Sequence, residues 1–167
     1  QFYSRHDVSA ALWTTHFKAS VGSKIPFEPN IILNHMGRTM NFLKKLEQYP
    51  DVCIQCHNAP DSDTIGAAFG VYRYLTWKGI PASMVYGGET PIKKYNLKLL
   101  LSECGIPLRF IRRQPKTSLL LVVDAQYGNT NVETFNAPET AIIDHHIPTV
   151  PDHELYLIRP EYQSCST

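Results

Sequence analysis

The chain has 167 residues, 43% of them hydrophobic and 19% charged, which supplies one globular core and excludes a disordered chain. A formal net charge of +1 makes no electrostatic demand for long nucleic acid, and no apolar run approaches the ~20 residues of a membrane helix. The expected setting is cytoplasmic, with no membrane partner, and the four cysteines (Cys53, Cys56, Cys104, Cys165) are too few for a disulfide framework.

Residues 1 to about 30 read as an N-terminal extension, with a short helical pattern from Val8 to Phe17 broken by Gly22, Pro26 and Pro29. From Asn30 or Asn34 to about Gln48, the positions of Ile31, Ile32, Met36, Met40, Phe42, Leu43 and Leu46 fit an amphipathic helix closed by Tyr49-Pro50. Val52 to Cys56 then predicts a strand, and His57 to Asp63 a polar loop containing Pro60. A helix follows, with Ile65, Phe69, Tyr72 and Leu75 on its apolar positions and Ser62 or Asp63 as its cap. After a turn at Lys78 to Pro81, Ala82 to Tyr86 reads as a second strand ending at Gly87-Gly88. Tyr95 to Cys104 reads as a helix stopped by Gly105. Ser118 to Val123 is an unbroken apolar run that ends in Asp124, and Thr140 to Ile143 ends in Asp144-His145-His146. Unbroken apolarity, unlike alternation, predicts strands buried on both faces, as in a parallel sheet.

Strands alternating with helices predict an α/β fold: a three-layer, mostly parallel, Rossmann-like sheet flanked by helices and joined by right-handed crossovers. That topology carries the three strand ends to one edge, where open α/β sheets bind ligands. His57, Asp61, Asp63, Asp124, His145 and His146 would then converge. Each has a plainer reading alone, as a helix cap or a surface residue, and the coincidence of all six outweighs those readings. Asp61 and Asp63, two apart, would share one side of an extended chain. At ~4 Å they would repel by about 4 kcal/mol at an effective dielectric near 20, a cost that cations remove. Mixed carboxylate and imidazole ligands rich in oxygen suit Mn²⁺, with Mg²⁺ or Co²⁺ as alternatives. Two ions ~3.5–4 Å apart would activate water and clamp a phosphoryl group for in-line displacement.

Cys53-Ile54-Gln55-Cys56-His57 also matches the c-type haem attachment pattern. In a strand, however, side chains three apart point to opposite faces with Cα atoms roughly 10 Å apart, so no haem, shared zinc or disulfide is expected.

The stretch His57-Asn58-Ala59-Pro60-Asp61-Ser62-Asp63 with Gly66, then Val123-Asp124, then Ile143-Asp144-His145-His146 resembles the DHH phosphoesterase superfamily. That superfamily includes RecJ-like exonucleases, nanoRNA and cyclic-dinucleotide phosphodiesterases, exopolyphosphatases and family II inorganic pyrophosphatases. The resemblance implies that residues 31–167 form a DHH catalytic domain. It implies that His57, Asp61 and Asp124 bind one metal ion and Asp63, Asp124 and His145 a second, with Asp124 bridging. His146 would meet a metal or the substrate phosphate, Asp144 would orient a histidine, and metal-bound hydroxide would be the nucleophile. Catalytic roles thus fall on Asp124, Asp144 and His146.

The chain departs from the pattern in places. Ala67 stands where a serine often follows the glycine. A fourth-motif aspartate and the second, DHH-associated domain do not occur before Thr167, and Asp152 comes too early to be that ligand. Ser164-Cys165-Ser166 resembles the small-residue run that leads onward in relatives, so the chain reads as truncated. The implied activity is two-metal, Mn-type hydrolysis of a phosphodiester in a small nucleotide or short oligonucleotide. Hydrolysis of pyrophosphate or polyphosphate, and nucleotide binding without turnover, are the alternatives. Nothing in the sequence speaks to oligomeric state.

Overall fold

Pro29 stands in the first turn of α1 (Pro29–Leu46), where its fixed φ and missing N–H carry no penalty. The helix therefore starts slightly earlier than its apolar spacing suggests. A computed structural model describes residues 29–113, 115–133 and 135–166, so the extension before residue 29, including the helical pattern at Val8 to Phe17, lies outside the described residues. One compact unit, Arg38–Thr167, carries all the candidate site residues.

Beyond α1 the elements are β1 (Val52–Cys56), α2 (Ser62–Trp77), β2 (Ala82–Tyr86), α3 (Tyr95–Glu103), β3 (Leu108–Phe110), β4 (Leu119–Val123), β5 (Glu139–Asp144) and β6 (Tyr156–Ile158). They form one six-stranded sheet in the order β3-β2-β1-β4-β5-β6. Every strand pair is parallel, and β1 sits in register between β2 and β4, Cys56 opposite both Tyr86 and Val123. The expected α/β parallel-sheet fold is what the chain adopts. The sequence reading missed β3 and β6, each of three residues, because they are too short to show a period.

All five residues of β1 and of β4 are buried, as their continuous apolarity requires. On one face Ile54, Cys56, Leu121 and Val123 pack with Phe42 and Leu46 of α1, Ile65, Ala68 and Leu75 of α2, and Leu97 of α3. On the other face Cys53, Val85 and Leu120 meet Phe135, while Val122 and Ile142 meet Ala125 and Val132. Helices thus cover one side, and the connection between β4 and β5 covers part of the other. Cys53 and Cys56 lie on opposite faces, both as free thiols, and burial pushes the Cys56 thiol up to about 12. No helix among the described residues is long and apolar enough to cross a membrane.

Chain direction sets where a site can form. From β1 the chain steps outward through β2 and β3, then returns to β4 on the other side and steps outward through β5 and β6. The carboxyl ends of β1 and β4 therefore bound the topological switch point. Thr64 locks this junction: its buried hydroxyl donates to the Val123 carbonyl at 3.0 Å, tying the first turn of α2 to the end of β4. Thr64→Val keeps the volume and leaves that carbonyl short of a donor. It is expected to cost about 1 kcal/mol in urea unfolding, and an unchanged midpoint would remove this bond from the account.

Candidate metal centre

Three loops supply the site, one after each of β1, β4 and β5. In the first, Ala59 takes a left-handed backbone at φ 51 ahead of Pro60, and Asp61 is extended at φ −108, ψ −173. Asp61 is the N-cap of α2, accepting from the backbone N–H groups of Asp63 at 2.9 Å and Thr64 at 3.1 Å. This corrects the expected cap at Ser62 or Asp63: Ser62 is already helical, so the last extended residue is Asp61. It also removes the extended-chain argument for pairing Asp61 with Asp63, since Asp63 lies within the helix. The ring of His57 uses Nδ1 on the Asn58 carbonyl at 2.7 Å, and its Nε2 faces Asp61 Oδ1 at 3.9 Å and Asp124 Oδ2 at 3.7 Å.

The second loop begins with Asp124, whose φ of 62 is left-handed and whose backbone N–H donates to the Ile143 carbonyl at 2.8 Å. A non-glycine residue held there costs on the order of 1–3 kcal/mol, and such strain collects at functional sites. Asp124 is 3% exposed, and its Oδ1 is buried without a hydrogen-bond partner among the described residues. Burial, then the negative charge of Asp63, pushes its carboxyl up to about 6, with His57 pulling the other way.

In the third loop Asp144 ends β5, 2% exposed. Its Oδ1 accepts from the His145 backbone N–H and the His146 Nδ1, both at 2.8 Å. That bond to Asp144 raises the His146 imidazole above its ordinary range. His145 uses Nδ1 on the Tyr162 carbonyl at 3.2 Å, and its Nε2 lies 3.3 Å from Asp124 Oδ1 and 3.7 Å from Asp63 Oδ2. Burial pushes Asp63 up, but hydrogen bonds from Ser166 and Cys165 outweigh it and hold the carboxyl below its usual range; their backbone N–H groups both donate at 2.8 Å.

The six residues named from the sequence thus meet at one sheet edge. His57, Asp61 and Asp124 form one compact trio and Asp124, His145 and His146 another, each offering ligand atoms within 4.8 Å of one another. Asp124 is common to both. The second trio differs from the implied set of Asp63, Asp124 and His145: His146 joins it, and Asp63 is reached through His145. A divalent ion fits this donor set, because a buried carboxylate oxygen with no hydrogen-bond partner among the described residues faces imidazole nitrogens and further carboxylates.

Sequence reasoning missed Gln126. It is fully buried, and its amide N–H groups donate to Asp144 Oδ2 at 2.5 Å and the Ile147 carbonyl at 3.2 Å. Its carbonyl accepts from the Thr149 backbone at 2.7 Å and hydroxyl at 3.0 Å. Its place two residues after Asp124 is the only signal the sequence carries for this link between two site loops.

The double duty of Asp61 is separable. Asn caps a helix about as well as Asp, so Asp61→Asn should change stability by only a few tenths of a kcal/mol, whereas Asp61→Ala should lose about 1 kcal/mol. Both should weaken Mn²⁺ binding by tenfold or more in calorimetric titration. Wild-type Mn²⁺ affinity in Asp61→Asn would make Asp61 a cap alone.

The model of the DHH family, N-terminal domain, matches residues 51–167. No curated protein matches the chain. Among solved structures, an exopolyphosphatase-related protein from Bacteroides fragilis shares the fold with a TM-score of 0.50 and 16% identity. The match covers 80% of this chain and 41% of that one, so the chain spans about two fifths of that structure's length. Since the family match takes in β1 to β6 and all three site loops, the chain belongs to the DHH family.

Proposed function

We propose that this domain belongs to a metal-dependent phosphoesterase acting on a phosphodiester of a small nucleotide or short oligonucleotide. The observation that carries the reading is Asp124: a buried, strained carboxylate with an orphaned oxygen, shared by two ligand trios at the topological switch point. Divalent ions, Mn²⁺ first among them, would when bound acidify water and neutralise charge on the phosphoryl oxygens. His57, Asp61 and Asp124 would hold one ion and Asp124, His145 and His146 another, with Asp63 beside His145 as a further carboxylate.

The chain's own groups do the positioning. Nδ1 bonds to the Asn58 carbonyl, the Tyr162 carbonyl and Asp144 fix the rings of His57, His145 and His146 respectively. Each ring then has Nε2 left to offer, the pattern that second-shell partners impose on ligating histidines. Asp144 stays behind His146, which is placed to meet either an ion or a substrate phosphate oxygen.

A second reading within the family is polyphosphate or pyrophosphate hydrolysis, which the name of the exopolyphosphatase-related structure favours. A third is nucleotide binding without turnover. One panel separates them: the protein with Mn²⁺, given bis-p-nitrophenyl phosphate, pentaadenylate, pyrophosphate and polyphosphate. Release from the two phosphodiesters, lost in Asp124→Asn, supports the proposal; release confined to pyrophosphate or polyphosphate selects the second reading. Binding with no release from any of the four selects the third.

A further inference from the structure

We infer that the loop after β6, residues 162–166, is a fourth positioning loop of the metal centre: a clasp that sets Asp63 against His145 and closes more firmly when the ion beside them is bound. The inference rests on the metal-dependent reading above.

Asp63 belongs to the first turn of α2, whereas His145 follows the end of β5, so the two come from separate loops. The loop after β6 reaches both. It leaves the strand pinned to the Asp-His-His loop, since the Arg159 N–H donates to the Asp144 carbonyl at 2.8 Å. The Tyr162 carbonyl then takes the His145 Nδ1–H at 3.2 Å. Further along, the Cys165 N–H donates to Asp63 Oδ2 and the Ser166 N–H to Asp63 Oδ1, both at 2.8 Å. The Cys165 thiol donates to the Ile143 carbonyl at 3.5 Å, the same carbonyl that accepts from the Asp124 N–H at 2.8 Å. One short loop therefore touches Asp63, His145 and the support of Asp124.

These contacts orient as well as close. A carboxylate whose two oxygens each accept from one of two adjacent amides has a single orientation left, and such charge-assisted bonds are roughly twice as strong as neutral ones. That orientation sets Asp63 Oδ2 3.7 Å from His145 Nε2, while Tyr162 already holds Nδ1 of the same ring. Ring and carboxylate thus take their relative position from the clasp. Helix α2 leaves room for it at Gly66, one turn after Asp63 on the same face, where a Cβ would stand 3.6 Å from the Ser166 Cβ. That is ordinary contact, so alanine fits there and a larger side chain meets Ser166. Closure and ion binding are then linked: the factor by which the closed clasp tightens the ion is the factor by which the ion favours closure.

The test pairs calorimetric Mn²⁺ titration with hydrogen exchange, read by mass spectrometry on the peptide that carries the Cys165 and Ser166 amides. In wild type, saturating Mn²⁺ should slow exchange at both amides by about tenfold or more, within the usual range of coupling between linked events. Gly66→Ala should bind Mn²⁺ as wild type does. Gly66→Ile, whose branched Cβ resists turning away from Ser166, should weaken one of the two ions by about tenfold or more and leave the other at wild-type affinity. Both residues favour a helix over glycine, so loss of α2 does not explain the change. Unchanged exchange at both amides on adding Mn²⁺ would overturn the clasp, and that arm needs no variant to fold. Gly66→Ile with both ions at wild-type affinity, the result for a loop that only closes the fold, would overturn it too, as would both ions weakened alike. Failure of the metal-dependent reading shows separately, as no Mn²⁺ bound by the wild type.

Discussion

Asp124→Asn is expected to lower Mn²⁺-dependent phosphodiester hydrolysis by roughly 10³-fold or more, since it removes the one ligand shared by both trios. It should also make the metal-free chain more stable than wild type. Asn tolerates the left-handed backbone that this position imposes at φ 62, and it has no charge to bury. The sign follows from the carboxyl's pKa, raised in the fold to about 6 from an ordinary 3.8 by burial first and then by Asp63. A raised carboxyl opposes folding in full above the folded value. That opposition fades as pH falls through about 6 toward the unfolded value. Urea unfolding without metal should therefore show the variant ahead of wild type at about pH 7.5, with the gap closing by about pH 4.5. Saturating Mn²⁺ should reverse the order, because the ion stabilises only the chain that binds it. A variant no more stable than wild type at either pH would mean that Asp124 is already compensated without an ion.

Gln126→Leu carries the second large effect. The side chain is fully buried and joins Asp144 Oδ2, the Ile147 carbonyl and both donors of Thr149, so it braces the Asp-His-His loop against the loop that begins at Asp124. Leucine matches the volume and satisfies none of these groups. The expected loss is about 2–4 kcal/mol in urea unfolding, with the buried carboxylate oxygen as the largest share. Asp144 without its brace holds His146 Nδ1 less firmly, so Mn²⁺ affinity should fall 10- to 100-fold by calorimetry. Gln126→Glu, which keeps the shape and sets a second carboxyl against Asp144, should bind Mn²⁺ no better than Gln126→Leu. Stability lost with Mn²⁺ affinity intact would confine Gln126 to a packing role.

The parallel sheet and the meeting of the site loops were legible because both depend on pattern alone. Leu119 to Val123 is apolar without interruption, and strands of that kind are buried on both faces wherever helices alternate with them. Once β1, β4 and β5 are parallel neighbours, His57, Asp124 and His145 have to share an edge. The three-residue β3 and β6 were not legible, since Leu-Arg-Phe and Tyr-Leu-Ile hold strand geometry through their neighbours rather than through any period of their own. The cap was misplaced by one or two residues because Asp61, Ser62 and Asp63 are all good caps, and only the backbone angles decide among them. Gln126 and the amides of Cys165 and Ser166 that grip Asp63 escaped notice for a different reason. Their roles arise from tertiary neighbours 18 to 103 positions away, which no local spacing records.

The most direct test of the central claim is equilibrium dialysis of the protein against Mn²⁺, with the bound ion counted per chain. If loops from three strands close around a shared carboxylate, wild type should hold about two ions, and Asp124→Asn should hold none at the same free concentration. An Asp124→Asn protein that retains the wild-type number of ions at wild-type affinity would contradict the account.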